Sequence, residues 1–317
     1  MTAAMGFEVV EGWGGLPSGM AYGLTHGVVV DARDNVYVHN RSRDAVIVFD
    51  QAGQCLGSWG EEFAAGAHGL FLSREGSQEY LYLADPVRHL VAKATLDGHV
   101  LWRLGVPDLP EVYPKPELYC PTDVAVAPGG DFYVCDGYGQ SFIHHYSPDG
   151  ERLASFGGVG SESGRLRCPH GIWVDTRGSA PALLVADRGN ARIQVFSLQG
   201  ESMACHAAGL RQPCCFYQVG DALYVPDLHG RVSVLDRDNR PVVQIGDDPG
   251  VWERPGWPNF PPQAQEPGRF IAPHACCVDA AGDLYVVEWV RGGRLTKCAR
   301  HNGHGGAGVA VPVTLPA

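Results

Sequence analysis

Apolar and polar residues alternate along this chain in short runs, and the runs recur as a set. "THGVVVDARDNVYVHN" (25–40), "AHGLFLSREGSQEYLYLAD" (67–85), "PTDVAVAPGGDFYVCDG" (121–137), "PHGIWVDTRGSAPALLVADRG" (169–189), "PCCFYQVGDALYVPDLHG" (213–230) and "PHACCVDAAGDLYVVEW" (273–289) align as six copies of one unit. Each copy is an alternating run, a Gly, Asp or Asn turn, and a second run ending near an acid, which is the pattern of a hairpin. A third run follows in most copies, as in "AVIVFDQAGQ" and "ARIQVFSLQGE", and a fourth closes on a bulky residue plus Gly, as in "LGSWG", "LASFG" and "VVQIG". Four antiparallel strands in a repeat of about 42 to 60 residues make one blade of a β-propeller. The expected fold is therefore all-β, a six-bladed β-propeller.

The sixth copy ends after its third run, "GRLTKCAR", with no closing strand of its own. The N-terminal "FEVVEGWGG" carries the missing ending, so residues 6–15 are expected to complete the last blade and remove its open edge. One circular domain over 1–300 follows, with 301–317 as a poorly ordered C-terminal tail. Its two histidines, His301 and His304, read as part of a loose terminus ahead of a metal tract.

Composition agrees with many short strands: 42 Gly and 23 Pro in 317 residues, with 45% hydrophobic residues. A formal net charge of -11 without any Lys/Arg run opposes binding to phosphate backbones and anionic lipid, so neither nucleic acid nor membrane is expected as a partner. No segment reads as a signal peptide or a membrane span. Ten cysteines in a chain of this length make no disulfide framework. Reduced thiols in a cytoplasmic protein are the expected state, with metal binding open at Cys214-Cys215 and Cys276-Cys277.

The candidate chemistry lies where each blade's first strand begins. In a propeller those strands line the central channel, and their entry position holds His26, His68, Thr122, His170, Cys214 and His274. His68, His170 and His274 fall on alternate blades, so a sixfold ring would aim them at one axial point. Three imidazoles with an open fourth position suit a catalytic divalent metal, zinc above all. His26 lies off the alternation and reads as a neighbour of the metal ligands or a substrate contact; the plainer reading of any one of the four is a hydrogen-bonded structural histidine. Loops between second and third strands emerge on the same face and carry Arg41, Arg43, Arg88, Tyr138, Arg188 and Arg291. Arginines there would bind a substrate carboxylate, and Tyr138 beside a metal would serve as a general base. Solvated arginines, inter-blade ion pairs and a packed tyrosine are the alternatives. Two long Pro- and aromatic-rich loops, 105–120 and 247–270, would wall this mouth, with Trp252, Trp257 and Phe260 read as a lid or as an oligomer contact.

From Cys120 to Glu201, "CPTDVAVAPGGDFYVCDGYGQSFIHHYSPDGE", "CPHGIWVD" and "VADRGNARIQVFS" resemble the peptidyl-α-hydroxyglycine α-amidating lyase family, within the NHL-repeat propellers. The resemblance extends more faintly from about residue 24 to 290. It implies a catalytic zinc on His68, His170 and His274, Tyr138 as the base, and Arg188 with Arg41 or Arg43 on the substrate carboxylate. The implied reaction cleaves a carbinolamide to an amide and glyoxylate. The family's calcium does not carry over, because Ala275 stands where its Asp follows the third histidine. Nor do its disulfides: Gly139 stands where the partner of Cys120 would be, and Leu184 and Val195 replace another pair. The expectation is a metal-dependent lyase cleaving a C–N or C–O bond of a small α-hydroxylated carboxylate. A metal-dependent hydrolase or hydratase on the same three histidines and a non-catalytic binding platform are the alternatives.

Overall fold

The computed structural model describes residues 5–302 and 309–316. Six antiparallel sheets account for the chain, and helical structure among the described residues is confined to three-residue 3-10 turns. The fold is the six-bladed β-propeller that the alternating runs predict. No helix among the described residues is long and apolar enough to cross a membrane.

Blade one is built from Thr25–Val30, Val36–Asn40, Val46–Phe49 and Cys55–Trp59. Blades two, three and four repeat this four-strand order from inner strands at Leu70–Glu75, Asp123–Val126 and Pro169–Asp175. Blade five begins at Tyr217–Val219 and blade six at Pro273–Val278. The inner and second strands of blade one are buried on both faces, as their runs of Val and Tyr require, while outer strands such as Cys55–Trp59 and Ser202–His206 are largely exposed.

The chain divides into two compact units, Glu62–Phe216 and the combination of Met1–Glu61 with Tyr217–Ala317. In the first, which holds blades two to four, the core lies between neighbouring sheets. Ala125, Tyr133 and Ile143 of blade three pack with Ile172, Leu183, Val185 and Phe196 of blade four. Tyr82 and Val91 of blade two pack with Phe132 and Tyr146. The second unit, which holds blades one, five and six, has Phe7, Tyr224, Val232, Phe270, Val286 and Cys298 in one cluster. Each such side chain removed from water contributes roughly 1.5–3 kcal/mol.

Met5–Val9 pairs antiparallel with Arg294–Asn302, Phe7 opposite Arg300 and Val9 opposite Cys298, so the N-terminal strand completes blade six as expected. The expectation of an unstructured tail is corrected for its described part. Val309–Val311 adds a fifth strand outside Met5–Val9, and Val313–Thr314 pairs with Pro241–Ile245 of blade five. Val311 is buried in the same cluster as Phe7. The N-terminal strand leaves an open edge, and Val309–Val311 covers it by pairing with Val9, Glu8 and Phe7. His304 lies outside the described residues, whereas His301 continues the third strand of blade six beside Glu8 (4.0 Å).

Candidate functional site

The histidines at the blade entries are aimed by a local irregularity. In blades one, four and six the register slips by one residue between Thr25 and Gly27, between Pro169 and Gly171, and between Pro273 and Ala275. The extra residue is His26, His170 or His274. A β-bulge leaves one residue out of the ladder and re-aims its side chain, here at the second position of an otherwise regular inner strand.

A second device fixes the rings. His68 Nδ1 stands 2.7 Å from Thr122 O, and His170 Nδ1 stands 2.9 Å from Cys214 O. A carbonyl can only accept, so both Nδ1 atoms carry the proton and both Nε2 atoms present a lone pair. The glycine after each histidine makes this possible. A Cβ at Gly69 would stand 2.4 Å from Thr122 O, and one at Gly171 would stand 2.3 Å from Cys214 O. In blades two and four the histidine thus donates to the carbonyl that its glycine lets approach, whereas Ala275 follows His274 in blade six. In the other unit His274 Nδ1 donates to His26 O at 2.7 Å, and the two rings meet edge to face with centroids 4.8 Å apart. His26 itself donates to Leu24 O (3.0 Å).

Within Glu62–Phe216 the structure brings together four of the predicted residues. His68 and His170 have ring centroids 4.8 Å apart, and the Tyr138 hydroxyl lies 3.1 Å from His68 Nε2 and 3.0 Å from His170 Nε2. One phenol has one proton, so at most one of these two lone pairs can take it. Arg188 Nη2 donates to the same hydroxyl at 3.3 Å, and its guanidinium lies 5.5 Å from the Tyr138 ring centroid. Burial of the hydroxyl end pushes the Tyr138 phenol above its ordinary value, with Arg188 acting against the shift. Tyr138 as a whole residue is 44% exposed. The phenol hydroxyl thus meets the Nε2 atoms of two histidines in a residue that is partly open to solvent.

The remaining candidates are placed differently. Arg43 is 81% exposed at its side chain, 3.6 Å from Glu61, and Arg88 pairs with Glu62 at 3.0 Å. The backbone N–H of Arg41 donates to Leu24 O, beside His26 in its own unit, and that of Arg291 donates to Asn259 Oδ1. Thr122 and Cys214, the entry residues without an imidazole, supply the carbonyls that orient the histidines of the preceding blades.

Several contributors escaped the sequence reading. In blades one, three, four and six the Asn, Asp or Glu at the end of the second strand is a clamp. Asn40 Oδ1 accepts from Gly23 N (2.9 Å), Asp136 Oδ1 from Cys120 N (2.7 Å), Asp187 Oδ1 from Arg167 N (2.6 Å) and Glu288 Oε1 from Ile271 N (2.6 Å). All four are fully buried. Each holds the segment two or three residues ahead of an inner-strand entry, and so sets where that entry's side chain starts. Cys168 and Cys214 thiols flank Arg188 at 3.4 and 3.9 Å.

Asp123, one residue past Thr122, was legible only from the register. Burial pushes its carboxyl up to about 7, against hydrogen bonds from Ile172 N and Val124 N. Its unfolded value is about 4. Between those values the folded chain holds a proton that the unfolded chain has lost, so stability falls as pH rises through that window, by on the order of 4 kcal/mol in full. Asp123→Asn is expected to remove this slope. In thermal melts, the variant should gain on the parent between pH 4.5 and 7.5, and an unchanged gap would refute the assignment.

The NHL repeat family model matches residues 118–146, which is blade three through its third strand and includes Tyr138. One blade of this six-bladed β-propeller thus carries the NHL-repeat match. NHL repeat-containing protein 3 of Mus musculus is 30% identical over 202 residues, 60% of this chain and 56% of that protein. Peptidyl-alpha-hydroxyglycine alpha-amidating lyase 1 of Drosophila melanogaster is 30% identical over 214 residues, covering 62% of this propeller and 36% of the lyase. The chain thus spans about half of the first of these relatives and about a third of the second. A streptogramin B lyase structure shares this propeller fold, with a TM-score of 0.64 at 12% identity over 93% of this chain and 98% of that one.

Proposed function

We propose that the protein is a metal-dependent lyase that cleaves the C–N bond of a small carbinolamide, releasing an amide and a 2-oxo acid such as glyoxylate. The observation that carries this reading is the Tyr138 hydroxyl at 3.0 and 3.1 Å from two histidine Nε2 atoms, with the Arg188 guanidinium on its other side. Similarity to the Drosophila amidating lyase over 62% of the chain supports it. The ligand set in this reading is His68, His170 and His274. Donor chemistry fits a divalent ion such as zinc, because each of the three donates Nδ1–H to a backbone carbonyl and so keeps Nε2 for the metal. A bound divalent ion supplies Lewis acidity, lowering the pKa of hydroxyl groups near it.

The chain's own residues then have defined tasks. Arg188 holds the substrate carboxylate by paired hydrogen bonds, displacing its present contact with Tyr138. Tyr138, as phenolate, takes the proton of the carbinol hydroxyl. The carbinol oxygen and carbon form a C=O bond, the C–N pair leaves with the amide nitrogen, and the proton passes from Tyr138 to that nitrogen. Arg41 is the second arginine in this reading. None of the ten cysteines forms a disulfide, which suits a reducing compartment and a cytoplasmic, small-molecule role.

A second reading, a non-catalytic binding platform, draws on the same hydroxyl: Tyr138 already satisfies one of the two Nε2 atoms without any ion. Elemental analysis of the purified protein together with glyoxylate release from an N-acyl-α-hydroxyglycine separates the two. Stoichiometric divalent metal with glyoxylate release is expected. Full metal occupancy without glyoxylate would leave a hydrolase or hydratase, and a folded, metal-free protein would leave the platform.

A further inference from the structure

The unit Glu62–Phe216 holds a cluster of buried titratable groups that the reaction above does not use. Tyr113, from the long loop 105–120, is 6% exposed, and Asp136 and His144 are fully buried. The Tyr113 hydroxyl stands 2.7 Å from Asp136 Oδ2 and 2.8 Å from His144 Nε2, and His144 Nδ1 stands 2.8 Å from Ser155 Oγ. The direction of every bond in this chain is determined. The Asp136 carboxylate only accepts, from Tyr113 as it does from the backbone N–H groups of Cys120 and Gln140. Tyr113 has no second proton, so His144 donates Nε2–H to the Tyr113 oxygen and accepts the Ser155 hydroxyl proton at Nδ1. Burial, with Arg152 nearby, pushes His144 down to about 3, which keeps the ring neutral and that lone pair in place.

Asp136 opens the turn that carries Tyr138. Its Oδ2 accepts from Gln140 N (2.5 Å) and its carbonyl from Ser141 N (3.1 Å), while Tyr138 N donates to Cys120 O (3.2 Å) and Cys120 N to Asp136 Oδ1 (2.7 Å). The turn is wrapped round one carboxylate so tightly that a Cβ at Gly139 would stand 2.0 Å from Oδ1. Tyr119, fully buried, meets the Tyr113 and His144 rings edge to face, with centroids 5.6 and 5.9 Å away. Whatever orients the Asp136 carboxylate therefore orients the turn, and with it the Tyr138 hydroxyl.

We infer that Tyr113 is a positioning residue for Tyr138: through Asp136 it fixes the turn that holds the Tyr138 hydroxyl against His68 Nε2 and His170 Nε2, while His144 and Ser155 hold Tyr113 in place. The consequence in rate rests on the proposed lyase reading. Arg188, which holds the substrate carboxylate in that reading, is anchored separately, its backbone N–H on Cys168 O (3.2 Å) and its Nη2 on Cys168 Sγ (3.4 Å). Loss of the Tyr113 bond should therefore fall on kcat and leave KM.

Tyr113→Phe keeps the ring and removes the bond to Asp136. It is expected to lower kcat for glyoxylate release from N-acetyl-α-hydroxyglycine by about tenfold, with KM within about twofold of the parent. The same change made in Tyr138→Phe should cost nothing further, because the hydroxyl it positions is gone. Tyr133→Phe, which removes another buried tyrosine's bond in this unit, to Leu198 O (3.0 Å), should leave kcat within about twofold. His144→Phe takes away the donor that fixes Tyr113; it should also lower kcat, and it serves as the test if Tyr113→Phe does not fold. A loss below about threefold in Tyr113→Phe, or an equal loss in the Tyr138→Phe background, would overturn the positioning role and leave the lyase standing. If the parent releases no glyoxylate, the lyase reading fails and positioning is read from acetylation of Tyr138 by N-acetylimidazole, followed by peptide mass spectrometry. Tyr113→Phe should speed that labelling about fivefold with Tyr133 labelling unchanged, and an unchanged Tyr138 rate overturns the role.

Discussion

Replacing His170 by alanine is expected to strip the protein of bound divalent metal and lower glyoxylate release by on the order of 10³-fold or more, with the propeller still folded. Loss of Lewis acidity removes several kcal/mol of transition-state stabilisation, which corresponds to that factor. The same change deletes the donation to Cys214 O and the contact with Tyr138, at a stability cost of about 1–3 kcal/mol. Elemental analysis, the thermal midpoint and initial rates should be measured on one preparation. His170→Ala with full metal occupancy would exclude His170 as a ligand, and His68→Ala should reproduce the loss because its ring is oriented in the same way.

Tyr138→Phe is expected to separate proton transfer from metal binding. The phenyl ring keeps the edge-to-face contacts with His68 and His170 and the place beneath Arg188, so metal content and thermal midpoint should change little. The rate should fall by about 10²- to 10⁴-fold, the usual worth of a positioned general base. The pH profile gives the sharper sign. A base works as phenolate, so the parent's rate should rise with pH through the Tyr138 titration; burial raises that pKa and moves the rise to the alkaline side. In Tyr138→Phe this limb should vanish. A variant within threefold of the parent, with the same limb, would remove Tyr138 from the chemistry.

The legible and the illegible parts of the site differ in kind. Tyr138 and Arg188 could be picked out because their loops occupy a fixed place in a repeat. Arg43 and Arg88 occupy the same place yet pair with Glu61 and Glu62, because which arginine stays available depends on acids brought near by the fold. The strands at 309–314 were missed since a few valines separated by Pro312 show no alternation; an unsatisfied sheet edge recruits them. Asp123 could be noticed only by counting one step past the histidine position.

What the sequence by itself determined is the blade: hydrophobic alternation, turn residues and the strand-closing Gly act within some fifty residues, and a local pattern suffices to write them six times. Its spacing of His68, His170 and His274 also marked the residues on which chemistry is proposed. Only the tertiary structure decided how those imidazoles are presented. The bulge that frees His170 forms against the second strand of its own blade, while the glycine that lets Cys214 O approach and the Nδ1–H bond that fixes the tautomer need the next blade's backbone within about 3 Å. A contact between chain segments tens of residues apart leaves at most a dipeptide, "HG", as its trace.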